Sequence, residues 1–412
     1  MPAPLRFFAT CAKGTEGALR RELSGLRLHA VRGDRGGVSF EGRLEAGMRA
    51  CLHARTAMRV LLELARWPAP DADALYEGAR AVAWERWLTP RTTLAVEASV
   101  ASSAITHSGY AALKVKDAAV DALRAKLGAR PDVDAKDPDV RIVLHLARGE
   151  ATLSLDLAGE PLHRRGYRAV TTEAPLKETL AAAVLILGGA DPELPFVDPL
   201  AGSGTLAVEQ ALRARRIAPG LARAFGFQRW PAYRGAPQSA WDRMKEEARA
   251  LALPRAPAPI VARDLHPRAV EAARRNAAAA GVGADVLVEH GDARELAPRF
   301  SAGTLAANPP YGERLMGGRN GVAEGRRGRA RAGDARAAEE RPRDAVHARV
   351  QQKKLQGFYR GLAEMLARHS GWTAILLSGS PLLERAIPLR PEVDHRLWNG
   401  PLEVHLLRYR IP

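Results

Sequence analysis

Through the first 160 residues, short apolar runs alternate with helical stretches without a regular rhythm. "LRFFATC", "TLAVEAS", "VRIVLHL" and "ATLSLDL" read as strands, while "TEGALRRELSGL" and "ALKVKDAAVDALRAKL" carry apolar residues at helical spacing. Strands and helices mixed in this way predict an α+β region. From about residue 175 the pattern becomes strand, turn, helix, and repeats. "FVDPLAGSGTLAVEQALRA" is followed by "IVARDLHPRAVEAARRNAAAAG", "VLVEHGDARELA" and "TLAANPPYG". That order predicts an α/β fold with a doubly wound parallel sheet. "GWTAILLSGS" and "LEVHLLRYRI" add strands near the end, and no internal repeat is visible.

Two segments break the rhythm. Residues 213–257 hold Phe225, Phe227, Trp230, Tyr233 and Trp241 among arginines. Residues 317–349 have almost no large apolar side chain, so they cannot bury enough surface to offset ordering, and a flexible insertion is expected. At 412 residues the chain exceeds one ordinary core, which predicts two or three domains.

Charge and composition narrow the classes of function. The chain carries 62 basic and 46 acidic residues, a formal charge of +16. Much of this is arginine in an alanine-rich chain, a pattern that coding bias also produces, so the sign carries more than the size. A basic surface favours a polyanion, with nucleic acid ahead of membrane. The only cysteines, Cys11 and Cys51, lack metal-type spacing, and the histidines form no ligand-spaced cluster, so neither disulfide nor metal is expected. The apolar run "LAAAVLILGGA" is too short to cross a bilayer and the N-terminus lacks a signal-peptide core. A cytoplasmic location fits.

The candidate chemistry sits at strand ends. In "DPLAGSGT", Asp198 closes a strand, and Gly202 and Gly204 flank Ser203 in the turn that leads through Thr205 into a helix. Missing side chains there let backbone N–H groups approach a ligand, and no Gly-Lys-Ser/Thr is present to hold a triphosphate. Asp264 ends the next strand, where an acid can accept from ribose hydroxyls. Asp292, followed by Ala293, ends the third, placed to receive an adenine amino group. Taken singly, each aspartate is an ordinary helix cap. Together they suit a ligand with a ribose, an adenine and a cationic tail, which is the composition of S-adenosylmethionine.

The fourth strand runs into Asn308, Pro309, Pro310 and Tyr311. Neither proline can donate to a ladder, so the strand stops and a stiff loop begins. An exocyclic purine amine is a weak nucleophile because its lone pair is delocalised into the ring. The Asn308 amide oxygen and the Pro309 carbonyl can take both of its N–H bonds and aim the lone pair at a methyl donor. Tyr311 can stack on the base. Catalysis of this kind is positioning and electrostatics. A base within folded nucleic acid must first be turned out.

These residues resemble those of amino-methyltransferases acting on adenine, guanine or glutamine amides. "LHRRGYR" (162–168), "APLKETLAAA" (174–183), "YAALKVKDAAVDAL" (110–123) and "NGPLEVHL" (399–406) narrow the resemblance to large-subunit ribosomal RNA guanine-N2-methyltransferases with an N-terminal THUMP domain. The likeness covers nearly the whole chain. It implies a ferredoxin-like region at 1–42, a THUMP RNA-binding domain at 43–155, a linker at 156–174 and a class I methyltransferase domain at 175–412. Some members carry a second methyltransferase behind the first; with the chain ending at Pro412, that activity is expected to be absent. The insertion at 317–349 departs from the family pattern on the substrate side.

The resemblance assigns Asp198, Gly202, Ser203 and Gly204 to the methionine end of S-adenosylmethionine, Asp264 to the ribose and Asp292 to the adenine. Pro175, Lys177 and Glu178 fall at the start of the helix that closes over the methionine end, with helix capping an equal alternative for Glu178. Lys13, Lys114, Lys116, Arg164, Arg165 and Arg168 are candidate phosphate contacts, against the plainer role of a solvated face for each arginine. The expected activity is methylation of a guanine N2 in 23S ribosomal RNA, free or in a pre-50S particle. Transfer RNA is the rival substrate, and a non-catalytic RNA-binding or assembly protein is the rival of another class. A protein-glutamine methyltransferase leaves the basic N-terminal half without a purpose.

Overall fold

The computed structural model describes residues 4–170, 176–311 and 342–412, with side chains in the last stretch from Val350. The first unit runs β1 (Leu5–Thr10), α1 (Glu16–Gly25), β2 (His29–Asp34), β3 (Gly37–Gly42), α2 (Leu44–His53) and β4 (Arg59–Pro68). In α1 the spacing of Ala18, Leu19 and Leu23 puts one apolar stripe against the sheet, where all three are buried. β1 pairs antiparallel with β3 on one side and with β4 on the other, giving the order β2-β3-β1-β4. This is a complete ferredoxin-like unit. The expected boundary at residue 42 is therefore corrected to the end of β4. A unit cut at 42 would lose the strand that covers the open edge of β1.

The second unit adds α3 (Ala72–Arg80), β5 (Thr93–Ala101), α4 (Ser108–Leu127), β6 (Asp132–Val133), β7 (Val140–Ala147) and β8 (Glu150–Asp156). β8 pairs antiparallel with β4, so both units share one eight-stranded sheet ordered β2-β3-β1-β4-β8-β7-β5-β6. That sheet keeps the two in fixed register. Asp71 caps α3 by accepting from the Asp73 and Ala74 amides at 3.1 and 2.8 Å.

The third unit comprises α5 (Glu178–Gly188), β9 (Phe196–Asp198), α6 (Thr205–Ala214), α7 (Ala236–Ala250), β10 (Ile260–Asp264), α8 (Pro267–Ala279), β11 (Val286–His290) and β12 (Thr304–Ala307). It continues through α9 (Pro342–Ala367), β13 (Thr373–Ser378), α10 (Pro381–Ala386), β14 (Val393–Asn399) and β15 (Leu402–Arg410). Its seven strands run β11-β10-β9-β12-β13-β15-β14, all in one direction except β15, which pairs antiparallel with both of its neighbours. The order reverses between β9 and β12. In such sheets the loops leaving neighbouring strands in opposite directions open a crevice at that point. Of the segment expected to be a flexible insertion, residues 342–349 belong to α9, and 317–341 lie outside the described residues.

The aromatic segment does not extend the sheet of the third unit. Phe225, Phe227, Trp230, Tyr233 and Trp241 are buried in one core with Leu52, Trp87 and Leu157 of the first two units. Phe227 and Trp241 meet edge to face with centroids 5.0 Å apart, and Trp87 and Trp230 do so at 5.9 Å. The amide of Phe227 donates to the Leu157 carbonyl at 3.2 Å and that of Gly220 to Leu52 at 3.0 Å. A loop of the third unit thus completes the core of the other two.

Candidate functional site

Leu305 of β12 pairs with Val197 of β9, so Asp198 and Asn308 emerge at the same end of adjacent strands. The turn after β9 is built by its own backbone and by the next strand. Gly204 donates to the Ala201 carbonyl at 2.7 Å, Ala201 to the Arg263 carbonyl at 2.9 Å, and Gly202 to Asp264 Oδ2 at 2.8 Å. Gly202 and Gly204 have φ of 52° and 81°, the left-handed region that favours glycine. A Cβ on Gly204 would lie 3.0 Å from Ala273 Cβ, whereas one on Gly202 would meet nothing within 4 Å. Gly204 serves helix packing, and Gly202 faces open space beside the crevice.

The three acids differ. Asp198 is 1% exposed and accepts from the Leu200 amide at 3.2 Å. Burial pushes its carboxyl up to about 8, opposed by that hydrogen bond, and the charge of Asp264 adds to the rise. Asp264 spends one oxygen on Gly202 and the other on the His266 amide at 2.9 Å. It shapes the turn and keeps lone pairs for a hydroxyl. Asp292 caps a short turn through the Arg294 amide at 2.8 Å and pairs with the Arg294 guanidinium at 2.5 Å. The side-chain hydrogen bond from Arg294 holds its carboxyl below the usual range. Ala293 beside it is buried.

At the fourth strand end, Asn308 Oδ1 is buried and has no hydrogen-bond partner among the described residues. Buried acceptors are ordinarily satisfied, so an orphan here marks a place for a donor. Pro310 gives its carbonyl to the Tyr359 hydroxyl at 2.7 Å, which fixes the loop from below. Tyr311 corrects the expectation of an open stacking surface. It is 7% exposed, the ring lies against Gly379, and its hydroxyl accepts from Asn399 Nδ2 at 2.9 Å. The ring is a wall of the site, locked by core packing.

Lys177 is exposed at the N-cap of α5, and Glu178 behind it is buried. Pro175 lies outside the described residues. Among the RNA candidates, Arg165 is corrected. It is 4% exposed, donates to the carbonyls of Leu162 (2.7 Å) and Arg55, and lies 3.6 Å from Glu209 of α6. Arg168 also turns inward, onto Glu178 at 2.7 Å. Arg164 stays at the surface with Glu160, Lys116 with Asp117, and Lys114 near the rings of Tyr76 and Tyr110. Lys13 lies 3.5 Å from the Trp398 ring centroid, one residue from the Asn399 that holds Tyr311.

Three supporting residues escaped the sequence reading: Asn276, Tyr359 and Asn399. Asn276 had a signal, since it falls on the stripe of α8 occupied by Ala269, Ala272 and Ala273, where an amide needs a buried partner. A groove of about 1040 Å³ lies elsewhere, between the first unit and α7, with Arg27, Arg43, Arg49, Arg86 and Arg243 among its lining. No residue of the strand-end loops lines it. Among the described residues no helix is long and apolar enough to cross a membrane, and no group of three His, Cys, Asp or Glu could hold a metal ion.

Comparison with known proteins follows the same division. An RlmL ferredoxin-like domain matches residues 6–61, a THUMP domain residues 69–156 and an RMKL-like methyltransferase domain residues 165–322. The chain is 40% identical over 425 residues to ribosomal RNA large subunit methyltransferase K/L of Syntrophotalea carbinolica, covering 100% of this chain and 54% of that one. It is 40% identical to the protein of the same name from Pseudomonas aeruginosa, covering 98% of this chain and 52% of the relative. The chain therefore spans about half the length of these relatives. SMU.472, described as a methyltransferase and solved with SAH, is 28% identical with a TM-score of 0.84 and coverage of 100% and 99%. TrmN from Thermus thermophilus, 22% identical with a TM-score of 0.67 and coverage of 99% and 100%, shares the fold. The three matches stand in this order along the chain, which thus joins an RlmL-type ferredoxin-like domain, a THUMP domain and an RMKL-like methyltransferase domain, and over its whole length it is similar to about half the length of the ribosomal RNA large subunit methyltransferases K/L.

Proposed function

We propose that this chain methylates the exocyclic N2 amino group of a guanine in 23S ribosomal RNA, with S-adenosylmethionine as donor. The observation that carries the reading is Asn308 Oδ1, a buried acceptor without a partner among the described residues, at the switch point beside the Asp198 turn. The residues fit the cofactor. The open side of Gly202 and the turn through Ser203 and Thr205 suit its methionine end, with Lys177 and Glu178 at the start of α5 nearby. Asp264 suits the ribose, and Asp292 with Ala293 the adenine. When bound, the cofactor supplies an electrophilic methyl group.

The protein's own part is to place the acceptor. Asn308 and the Pro309 carbonyl take the two N–H bonds of the amine and restore lone-pair density on nitrogen. Pro310 and Tyr311 keep that pair rigid, since the Pro310 carbonyl and the Tyr311 hydroxyl are both tied to the core. Reorganisation is thus completed before reaction. The test is nucleoside mass analysis of 23S and transfer RNA treated with the protein and isotope-labelled S-adenosylmethionine. N2-methylguanosine confined to 23S RNA is expected; label on adenine, on transfer RNA or on neither would overturn the assignment.

The first two units would supply most of the RNA affinity. Lys13, Lys114, Lys116 and Arg164 are the candidates that remain at the surface, and the arginine-lined groove lies on the same half. RNA binding is expected to weaken steeply with salt. Replacing Lys114 and Lys116 by alanine should flatten the slope by about 0.7–0.9 per true phosphate contact. An unchanged slope in that double variant would place the phosphate contacts elsewhere.

A further inference from the structure

Arg168, an expected RNA contact, is held inside the third unit. Its Nε donates to Glu178 Oε1 at 2.7 Å; one terminal nitrogen reaches the Leu176 carbonyl at 3.0 Å and Thr205 Oγ1 at 3.2 Å, the other Ser203 Oγ at 3.3 Å. These partners lie on the start of α5 and on the glycine turn into α6, so one guanidinium clamps both. Glu178 is 3% exposed. A buried carboxylate is tolerated where a guanidinium donates to it, and here the same guanidinium spends its terminal nitrogens on three neutral acceptors.

The two residues after Arg168 complete the clamp. The amides of Ala169 and Val170 donate to Asn276 Oδ1 at 3.0 and 3.2 Å, and Asn276 Nδ2 donates to the Ser203 carbonyl at 2.9 Å. The chain leaving the RNA-facing half is therefore bound to both sides of Ser203. Gly202 and Gly204 give that turn its shape but not its rigidity, because glycine restricts its backbone least. The rigidity has to come from outside the turn.

We propose that Arg168 is a positioning residue. It holds the glycine turn and the start of α5 in the arrangement that receives the methionine end of the cofactor, so that the linker from the RNA-facing half sets cofactor affinity. The inference rests on the cofactor reading above. A lysine cannot replace it, since a single ammonium does not span four acceptors on two elements.

Calorimetry with S-adenosylhomocysteine on the full chain tests this. Arg168→Lys keeps the charge beside Glu178 and should weaken binding about tenfold, the scale of one or two lost charge-assisted hydrogen bonds, with RNA affinity within about twofold of the wild type. Arg168→Gln combined with Glu178→Gln removes the buried carboxylate together with its cationic partner, and should remain weak. Wild-type affinity in that double variant would mean that Arg168 only neutralises Glu178 and would overturn the proposal. So would a loss of RNA affinity in Arg168→Lys with cofactor affinity intact. If the wild type itself binds no S-adenosylhomocysteine, the cofactor reading falls and this inference with it; if the wild type binds and all variants match it, only this inference falls.

Discussion

Asn308→Ala is expected to lower turnover by roughly a hundredfold, the cost of misplacing a reacting group, while cofactor affinity and melting temperature stay close to those of the wild type. The stability side follows from the orphan. Asn308 Oδ1 has no partner among the described residues, so removing it breaks no internal hydrogen bond there. The kinetic side follows because both amine N–H bonds need acceptors in the transition state, and alanine provides none. Single-turnover methylation, calorimetry and thermal melting on one preparation check all three parts. A variant that turns over normally would remove Asn308 from the chemistry.

Tyr311 should behave differently, and the packing around it says how. Tyr311→Phe leaves Asn399 Nδ2 without its acceptor, a cost of about 1 kcal/mol. Tyr311→Ala empties a core position against Gly379, and should lower stability by about 3–5 kcal/mol, as large-to-small aromatic changes do. Its loss of activity should therefore track unfolding, unlike that of Asn308→Ala. Equal melting temperatures for Tyr311→Ala and the wild type would mean that the ring is not part of the core.

The second large effect concerns pH. Burial raises the Asp198 carboxyl to about 8, well above the value near 4 of an unfolded aspartate. Between those values the folded protein without cofactor binds the extra proton, so its contribution to stability is complete below pH 4 and is lost as pH rises through about 8. A cationic methionine end beside Asp198 favours the ionised form. Cofactor affinity should then rise about tenfold per pH unit up to pH 8 and level off above it, with a proton released on binding at pH 7. Calorimetry in two buffers of different ionisation enthalpy measures that proton. Asp198→Asn should bind more weakly with a flat profile. A wild type with no proton release and no pH dependence would place the cation away from Asp198.

The strand-end site was legible because its signals are local. Proline ends a strand wherever it stands, glycine permits a left-handed turn, and an acid at a strand terminus reaches the same crevice in any doubly wound sheet. Asn308, Asp198, Gly202, Gly204 and Asp264 could be placed on that basis, and their positions at the ends of β9, β10 and β12 follow. The repeating strand-turn-helix order likewise required only hydrophobic period and turn residues.

What the sequence could not carry was the identity of distant partners. Arg164, Arg165 and Arg168 are one basic run in the sequence, yet Arg164 is exposed, Arg165 meets the Arg55 carbonyl 110 positions away, and Arg168 clamps Ser203 and Thr205. The aromatic segment from Phe225 to Trp241 reads as an insertion in the third unit but fills the core of the first two. Tyr311 reads as a free ring and is locked by Gly379 and Asn399. The sequence by itself determined where the backbone must turn and which acceptors stand at those turns, since these depend on each residue and its immediate neighbours. The tertiary structure alone decided which charges and rings are buried, because burial is set by elements far apart in the chain that pack together only in the folded protein.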